Sequence, residues 1–518
     1  MTRSWWQTRG FVALVLLATA IPLLWPTIPP LIDLPGHMAR YRVMLGDDPG
    51  LARWYAFAWK PIGYLGVDLL VLAVAPVLGL ELTVKLVAIL IPVVTAAGMF
   101  WLSREAHGRV QPLVLFALPL AFHLCFQYGF LNYTLGMALA LNAFALWLCL
   151  ARLGRTRLRA ALFLPIGMLL WTVHLFSWIA LGAMAGGAEV ARARAVGRSW
   201  VLAIWSGGLR CLPLAPPGLL LLLWRPGGPG AGSDYLASLP LKPGWLATVL
   251  RDRWEPFDIA SIAVIGLILY GCARSAQWRW SPPLLGAGLA LLLVFVAMPF
   301  GAAYADARLA PYAVMLLLLA PAAAAVPVRR LGLLALAGLA FFAARTAATT
   351  ASFAIEGRDW DRHLVALDHV PHGARVVSFA VAPCADGWRM PRIAHLPGML
   401  VTRRGAFSND QFDLGSTALL RVVVPDLRGF AVDPSQIVMR DGCPDSHGFR
   451  SLSQALARFP RDRLDYLWIL NRAPVDPRLL AGLSPVWSDG RDVLYRLHTA
   501  RPGPRPYTSP LSATPSTR

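Results

Sequence analysis

Pro30-Leu31-Ile32-Asp33-Leu34-Pro35-Gly36-His37-Met38-Ala39-Arg40-Tyr41 is the stretch on which the reading of this chain turns. Asp33 stands where it can cap a helix that starts near Leu34. Pro35 falls in the first turn, where a missing N–H is harmless. His37 follows four residues after Asp33 and Arg40 three after that, so Asp33, His37 and Arg40 or Tyr41 share one helix face. Together these groups suit chemistry on a phosphate-linked substrate. A guanidinium can hold a phosphate in two parallel hydrogen bonds, and a carboxylate can take the proton of an attacking hydroxyl. The same residues also allow a plainer reading, with Asp33 as a helix cap and Arg40 as an interfacial anchor.

The surroundings of this stretch are apolar. Of the 518 residues, 57% are hydrophobic and only 15% charged, whereas soluble chains are about 25% charged. A soluble enzyme is therefore excluded, and so is disorder over most of the chain. The run from Gly10 to about Thr27 reads as an uncleaved first span rather than a signal peptide. Further apolar runs lie near 82–103, 112–128, 132–150, 160–189, 208–224, 257–273, 282–298, 311–327 and 331–348. The 160–189 run is long enough for two short helices turning near His174, which gives about eleven transmembrane helices. Residues 1–350 thus form an all-α polytopic membrane bundle, with the lipid bilayer as partner.

Arginine orients it. With the N-terminus cytoplasmic, the inner segments hold 15 Arg against the single acid Glu105, while nine Lys or Arg in the outer loops are nearly matched by acids. This is the positive-inside bias. It assigns the net charge of +20 to membrane orientation rather than to a nucleic-acid partner. The outer loop 28–64 carries the candidate active site. Its aromatic stretch 51–60 is expected in the headgroup layer, and 65–80 as a partly buried or re-entrant outer helix. After Thr350, short and 2-periodic apolar stretches separated by Pro, Gly and Asp predict a periplasmic α/β domain over 351–500. A Pro/Ser/Thr-rich disordered tail follows at 501–518. Cys384 and Cys443 are the only cysteines of that domain, and a disulfide between them fits an oxidising compartment.

One span, a long outer loop opening with an acid, a bundle of short spans and a C-terminal outer domain together resemble the GT-C superfamily of integral-membrane glycosyltransferases. The segment around Asp33 is similar to the Asp-x-Pro-x-His-x-x-Arg pattern of its bacterial members. The resemblance implies a multi-pass protein of the bacterial inner membrane. Its donor would be a polyprenyl-phosphate-linked sugar, and its acceptor an envelope glycan, lipid or protein on the periplasmic face. Asp33 then matches the family's acid as general base or metal ligand, with His37 as its partner and Arg40 and Arg308 as phosphate binders. Many members carry a second acid beside the first; here Leu-Pro-Gly-His follows instead. A divalent cation, Mg or Mn, is the one candidate cofactor.

Other outer-face residues are candidates for the same cavity. Gln127, Asn132 and Tyr41 can bind sugar hydroxyls. His174 lies at the tip of the predicted hairpin, where an ionisable group at membrane depth points to function. Asp306 and Arg308 share a short outer loop. His123, Arg345, His395, Arg403 and Arg404 are weaker candidates. The sets Asp359/Asp361/His363 and Asp441/Cys443/Asp445/His447 lack firm ligand spacing. The alternative function is a non-catalytic component of envelope glycan or lipid translocation or assembly.

Overall fold

Within a bilayer no water completes the backbone's hydrogen bonds, so apolar segments satisfy them internally by forming helices. In the computed structural model the described part of the first 350 residues is mainly helical, with short strands at Tyr55–Phe57, Trp278–Trp280 and Pro321–Ala323. The structure describes all residues except 1–3, 224–238, 299–303, 305, 385–386, 414, 416–417, 425–426, 445–447 and 498–518. The expected tail therefore lies outside the described residues, as do Asp445 and His447. Among those described, five helices are long and apolar enough to cross a membrane: Leu80–His107, Leu131–Arg152, Thr156–Val173, Glu255–Arg274 and the helix that starts at Val328. Six shorter apolar helices accompany them. The 160–189 run does divide at His174. That residue is extended (φ −166°), and its Nδ1 accepts from Phe176 N at the start of the helix Leu175–Ala195.

Helix packing is closest between Leu175–Ala195 and Pro282–Ala297. A Cβ on Gly187 would lie 2.2 Å from Gly286 O, and a Cβ on Gly286 would lie 2.3 Å from Gly187 O. These backbones touch because neither position carries a side chain.

The last helix corrects the domain boundary drawn at 350. It runs unbroken from Val328 to Leu364, 37 residues or about 55 Å. That exceeds the ~30 Å of a bilayer core. Its buried face continues through Phe353, Glu356, Gly357, Trp360 and His363. The change in composition near Thr350 marks a change of surroundings, not the end of the helix.

The C-terminal region is built on β1 (Val376–Ala382), β2 (Ile437–Met439), β3 (Arg450–Ser451), β4 (Tyr466–Leu470), β5 (Leu483–Ser488) and β6 (Val493–Leu497), in the order β3-β2-β1-β4-β6-β5. Strands β3, β2, β1 and β4 are parallel, and β6 pairs antiparallel with both β4 and β5. Six of the seven β1 residues are buried, as expected of a strand covered on both faces. Cys384 and Cys443, just beyond β1 and β2, are joined in a disulfide with Cα atoms 4.9 Å apart.

The stretch 51–60 was expected in the headgroup layer, and here the structure corrects the sequence. Tyr55–Phe57 is a strand, paired antiparallel with Leu420–Val422. The Tyr55 hydroxyl donates to Ser408 O (3.0 Å) and accepts from Ser408 N (2.9 Å). Leu51, Trp54 and Tyr55 pack with Val377, Phe379 and Phe407. These aromatics cover the domain's apolar flank, so the segment 28–64 and the C-terminal domain form one unit.

The glycine contact generates a direct test. Gly187→Ala forces two backbones apart and should cost about 1–3 kcal/mol, seen as a lower melting temperature in detergent. Gly182→Ala, on the same helix with nothing within 4 Å of its Cβ, should leave the melting temperature unchanged.

Candidate active site

The helix Leu34–Leu45 opens with Pro35 and closes at Gly46 in the left-handed conformation (φ 69°). Asp33 occupies its cap position, but its side chain makes no capping hydrogen bond. The carboxylate is therefore turned to other neighbours. Main-chain bonds fix its place: Ile32 N donates to Gln127 O (3.2 Å) and Asp33 N to Tyr128 O (2.9 Å). Gly129 makes the approach possible. It has φ +87°, and a Cβ there would lie 3.2 Å from Asp33 N.

The C-terminal domain closes the other side. A Cβ on Gly398 would lie 2.5 Å from Pro35 O, so the segment carrying His395 packs directly on the helix start. His395 Nε2 lies 3.9 Å from Asp33 Oδ1 and 3.7 Å from Asp433 Oδ1. The His395 ring also packs on Phe412, with centroids 4.6 Å apart. Gln436 Nε2 donates to Asp433 Oδ1 (2.8 Å) and to Ala394 O (3.2 Å), tying Asp433 to the His395 segment.

Burial, and after it the neighbouring Asp433, push the Asp33 carboxyl up to about 8, while Arg308 opposes the shift. Burial lowers His395, opposed by Asp433. Burial, then Arg40 and His395, hold His37 well below the usual imidazole range. Burial also raises Asp410 to about 7, countered by bonds from Gln411 and Ser408.

Arg308 brings positive charge to the same place. Its guanidinium sits 4.7 Å from the ring centre of Phe130 and 5.4 Å from those of Tyr133 and Phe176. Nη1 reaches His174 Nε2 at 3.3 Å, and the Tyr133 hydroxyl donates to Arg308 O. Its Nε is buried without a hydrogen-bond partner. Arg308 forms no ion pair with a carboxylate among the described residues, although Asp33 is close enough to act on its charge. His174, singled out by position, thus orients Arg308.

Several expected site residues are committed elsewhere. Arg40 Nη2 reaches both Asp68 oxygens at 3.0 Å. Asn132 Nδ2 donates to Asp68 Oδ2 (2.9 Å), and Asn132 Oδ1 accepts from Val67 N (2.6 Å). Tyr41 is fully buried, with Arg40 5.1 Å over its ring. These three brace the first-loop helix against Gly66–Leu78, because the buried acid Asp68 requires a counter-charge. Gln127 Oε1 accepts from Arg392 Nη2 (2.8 Å). Asp306 is closed by Lys242 Nζ (2.9 Å) and Trp245 Nε1 (3.0 Å). The His37 ring lies against Phe412, centroids 5.5 Å apart, so the imidazole beside Asp33 is His395 rather than His37.

The weaker candidates are also accounted for. Arg345 pairs with Asp258 at 2.5 Å, Arg403 with Glu81 at 2.8 Å and Arg404 with Asp368 at 2.6 Å. His123 meets the Tyr312 hydroxyl at 3.0 Å, and His363 pairs with Asp492. Sequence reasoning missed Asp433, an isolated acid with no motif around it. No group of three or more His, Cys, Asp and Glu side chains among the described residues is arranged to hold a metal ion, so the residues present do not fit the Mg or Mn site considered from sequence.

No family model matches the chain, and no curated protein matches its sequence. Among solved structures it is similar to ArnT from Cupriavidus metallidurans in the apo state, with TM-score 0.51 and 14% identity over 96% of this chain and 98% of that one. The same protein bound to undecaprenyl phosphate gives TM-score 0.49 and 14% identity over 97% and 100%. The arabinofuranosyltransferase AftD from Mycobacteria gives TM-score 0.45 and 17% identity over 95% of this chain. The chain spans 40% of the length of AftD. The apo ArnT likeness shows the fold: the chain folds like that protein, and among the described residues it has five helices long and apolar enough to cross a membrane.

Arg392 holds the site's walls together through Pro30 O, Gln127 and Asp252. Arg392→Met leaves Asp252 buried without its guanidinium and should cost about 3–5 kcal/mol, measured as loss of folded protein on heating in detergent.

Proposed function

We propose that the chain is a membrane glycosyltransferase that moves a sugar from a polyprenyl-phosphate donor to an envelope acceptor. On this reading it sits in the bacterial inner membrane with about eleven crossings, its N-terminus cytoplasmic and its C-terminal domain periplasmic. The observation that carries the proposal is a desolvated carboxylate on Asp33 that lies close enough to feel the charge of Arg308, whose guanidinium has no carboxylate partner among the described residues. The GT-C-type fold supports it by analogy, since a fold hosts many functions.

The reaction follows from this geometry. An acceptor hydroxyl gives its proton to the Asp33 carboxylate as its oxygen bonds to the anomeric carbon. The bond from that carbon to the phosphate oxygen breaks, and the electron pair leaves on the phosphate. Arg308, oriented by His174, meets that charge with a charge-assisted hydrogen bond. In a water-poor site such a donor contributes far more than it would in water. The phosphate leaving group requires little protonation, so one base suffices. Phe130, Tyr133 and Phe176 exclude water from the guanidinium.

Three outcomes are expected. Asp33→Asn should lower transfer about 10²–10⁴-fold with the melting temperature retained. Arg308→Ala should lower kcat about 10²–10³-fold. The base works only when ionised and its carboxyl is raised to about 8, so kcat/KM should rise with pH and level off above that value. The founding experiment compares envelope glycolipids and glycans by mass spectrometry in a deletion strain carrying wild type or Asp33→Asn at equal membrane levels. A sugar that disappears on deletion and returns only with wild type supports the reading and identifies the acceptor. Equal restoration by both chains removes Asp33 from catalysis and favours a non-catalytic role in translocation or assembly.

A further inference from the structure

His395 faces two carboxylates from different parts of the fold. Asp33 comes from the first outer loop and Asp433 from the C-terminal domain, and both lie within 4 Å of the same ring nitrogen, Nε2. Neither carboxylate forms an ion pair with Lys or Arg among the described residues. Asp410 beside them is likewise without such a pair, held by Ser408 Oγ and Gln411 Nε2, whereas Asp68, Asp306, Asp258 and Asp252 are paired with Arg40, Lys242, Arg345 and Arg392. The His395 side chain is 8% exposed, that of Asp33 16% and that of Asp433 23%. Openness to water thus increases towards Asp433.

The remaining groups around the ring are known. His37 faces it from the first-loop helix, and Asp410 and Phe412 from the segment after Phe407. Gln436 lies on the Asp433 side, with its Nε2 3.5 Å from His395 Nδ1. Arg308 acts on Asp33 from the opposite wall, and Arg40 acts on His37.

We propose that Asp33 and Asp433 share one proton across His395 Nε2, so that Asp433 sets the pH at which Asp33 becomes available as a base. The catalytic meaning of this rests on the reading of Asp33 given above; the shared proton itself does not. The proton that Asp33 takes passes to Nε2 and on to Asp433, the more open carboxylate, and from there to water. No electrons move and no co-reactant is required. His395 and Asp433 are positioning residues, acting on substrate only through Asp33. Two carboxylates coupled through one group titrate as a pair, and removing one shifts the other.

The test needs neither donor nor acceptor. A water-soluble carbodiimide couples an amine only to a protonated carboxyl, and peptide mapping by mass spectrometry reads the extent at Asp33 as a function of pH. In the full-length wild-type protein in detergent, labelling of Asp33 should fall with a midpoint near 8. Asp433→Asn should move that midpoint down by about one unit, and Asp433→Glu should return it to the wild-type position. In a His395→Gln background, where only the direct repulsion by Asp433 remains, Asp433→Asn should shift it by clearly less. A midpoint unmoved by Asp433→Asn, with the Glu variant equally silent, overturns the proposal. A shift of undiminished size without His395 overturns it too, by showing plain repulsion instead of a shared proton. Because this readout is independent of glycosyl transfer, its failure and the failure of the transferase reading are distinguishable.

Discussion

A single guanidinium joins the parts of this molecule that must meet for a site to exist. Arg392, in the C-terminal domain, donates to Pro30 O in the loop that carries Asp33, to Gln127 on the turn beneath it and to Asp252 in the segment before Glu255–Arg274. It is 2% exposed. Asp252 in turn accepts from Ser352 Oγ at 2.7 Å, which adds the long last helix. Withdrawn from water, such a charge is tolerable only when its hydrogen bonds are met together. The first loop, the helical bundle and the sheet domain are therefore fixed relative to one another, and Asp33 is fixed with them.

Charge accounting then separates structure from site. Asp68 has Arg40, Asp306 has Lys242, Asp258 has Arg345, and Glu356 has both Arg253 and Arg389. Each of these pairs is complete, and each acid is nearly or fully buried. Among the described residues Asp33 and Asp433 depart from the pattern, meeting one imidazole between them, and so does Asp410, held by Ser408 and Gln411. The base that departs from it is Arg308, which meets a histidine and aromatic faces. Perturbed or uncompensated ionisable groups that converge on one cavity are the physical mark of function. Pairing, rather than exposure or motif, is what distinguishes Arg308 from Arg40.

The sequence made the bundle legible because hydropathy and arginine placement depend on short windows. The divided run at His174 was readable for the same reason, as were Asp33 and Arg308 as outer-loop candidates. Tertiary pairing was not readable. Arg40, Asn132 and Gln127 were polar residues near the right surface, yet each is consumed by a partner tens to hundreds of residues away, and Tyr41 is buried beneath its neighbour Arg40. The strand Tyr55–Phe57 has the composition of an interfacial segment. Only its register against Leu420–Val422 shows that its aromatics cover protein rather than lipid. Asp433 lies 400 residues from Asp33 and carries no local pattern. The fold boundary near 350 was misplaced because a change of solvent along one continuous helix looks, in composition, like the start of a new domain.

The two sides of Asp33 also differ in character, and the difference bears on how an amphipathic reaction can be organised. Phe130, Tyr133 and Phe176 surround Arg308 on the bundle side, while Asp433, His395 and Gln436 stand on the domain side. An anion on an apolar carrier is matched by the first side, where aromatic faces accommodate the chain and the guanidinium meets the charge. A polar hydroxyl compound is matched by the second, where hydrogen-bonding groups reach towards solvent. Asp33 lies where the two sides meet, with its main chain bonded to the turn that carries Phe130 and its carboxylate turned to His395. On the transferase reading, the base stands between lipid-linked donor and water-borne acceptor because the first loop is clamped between bundle and domain. The clamp at Arg392 and the placement of the base are thus one structural fact seen from two sides.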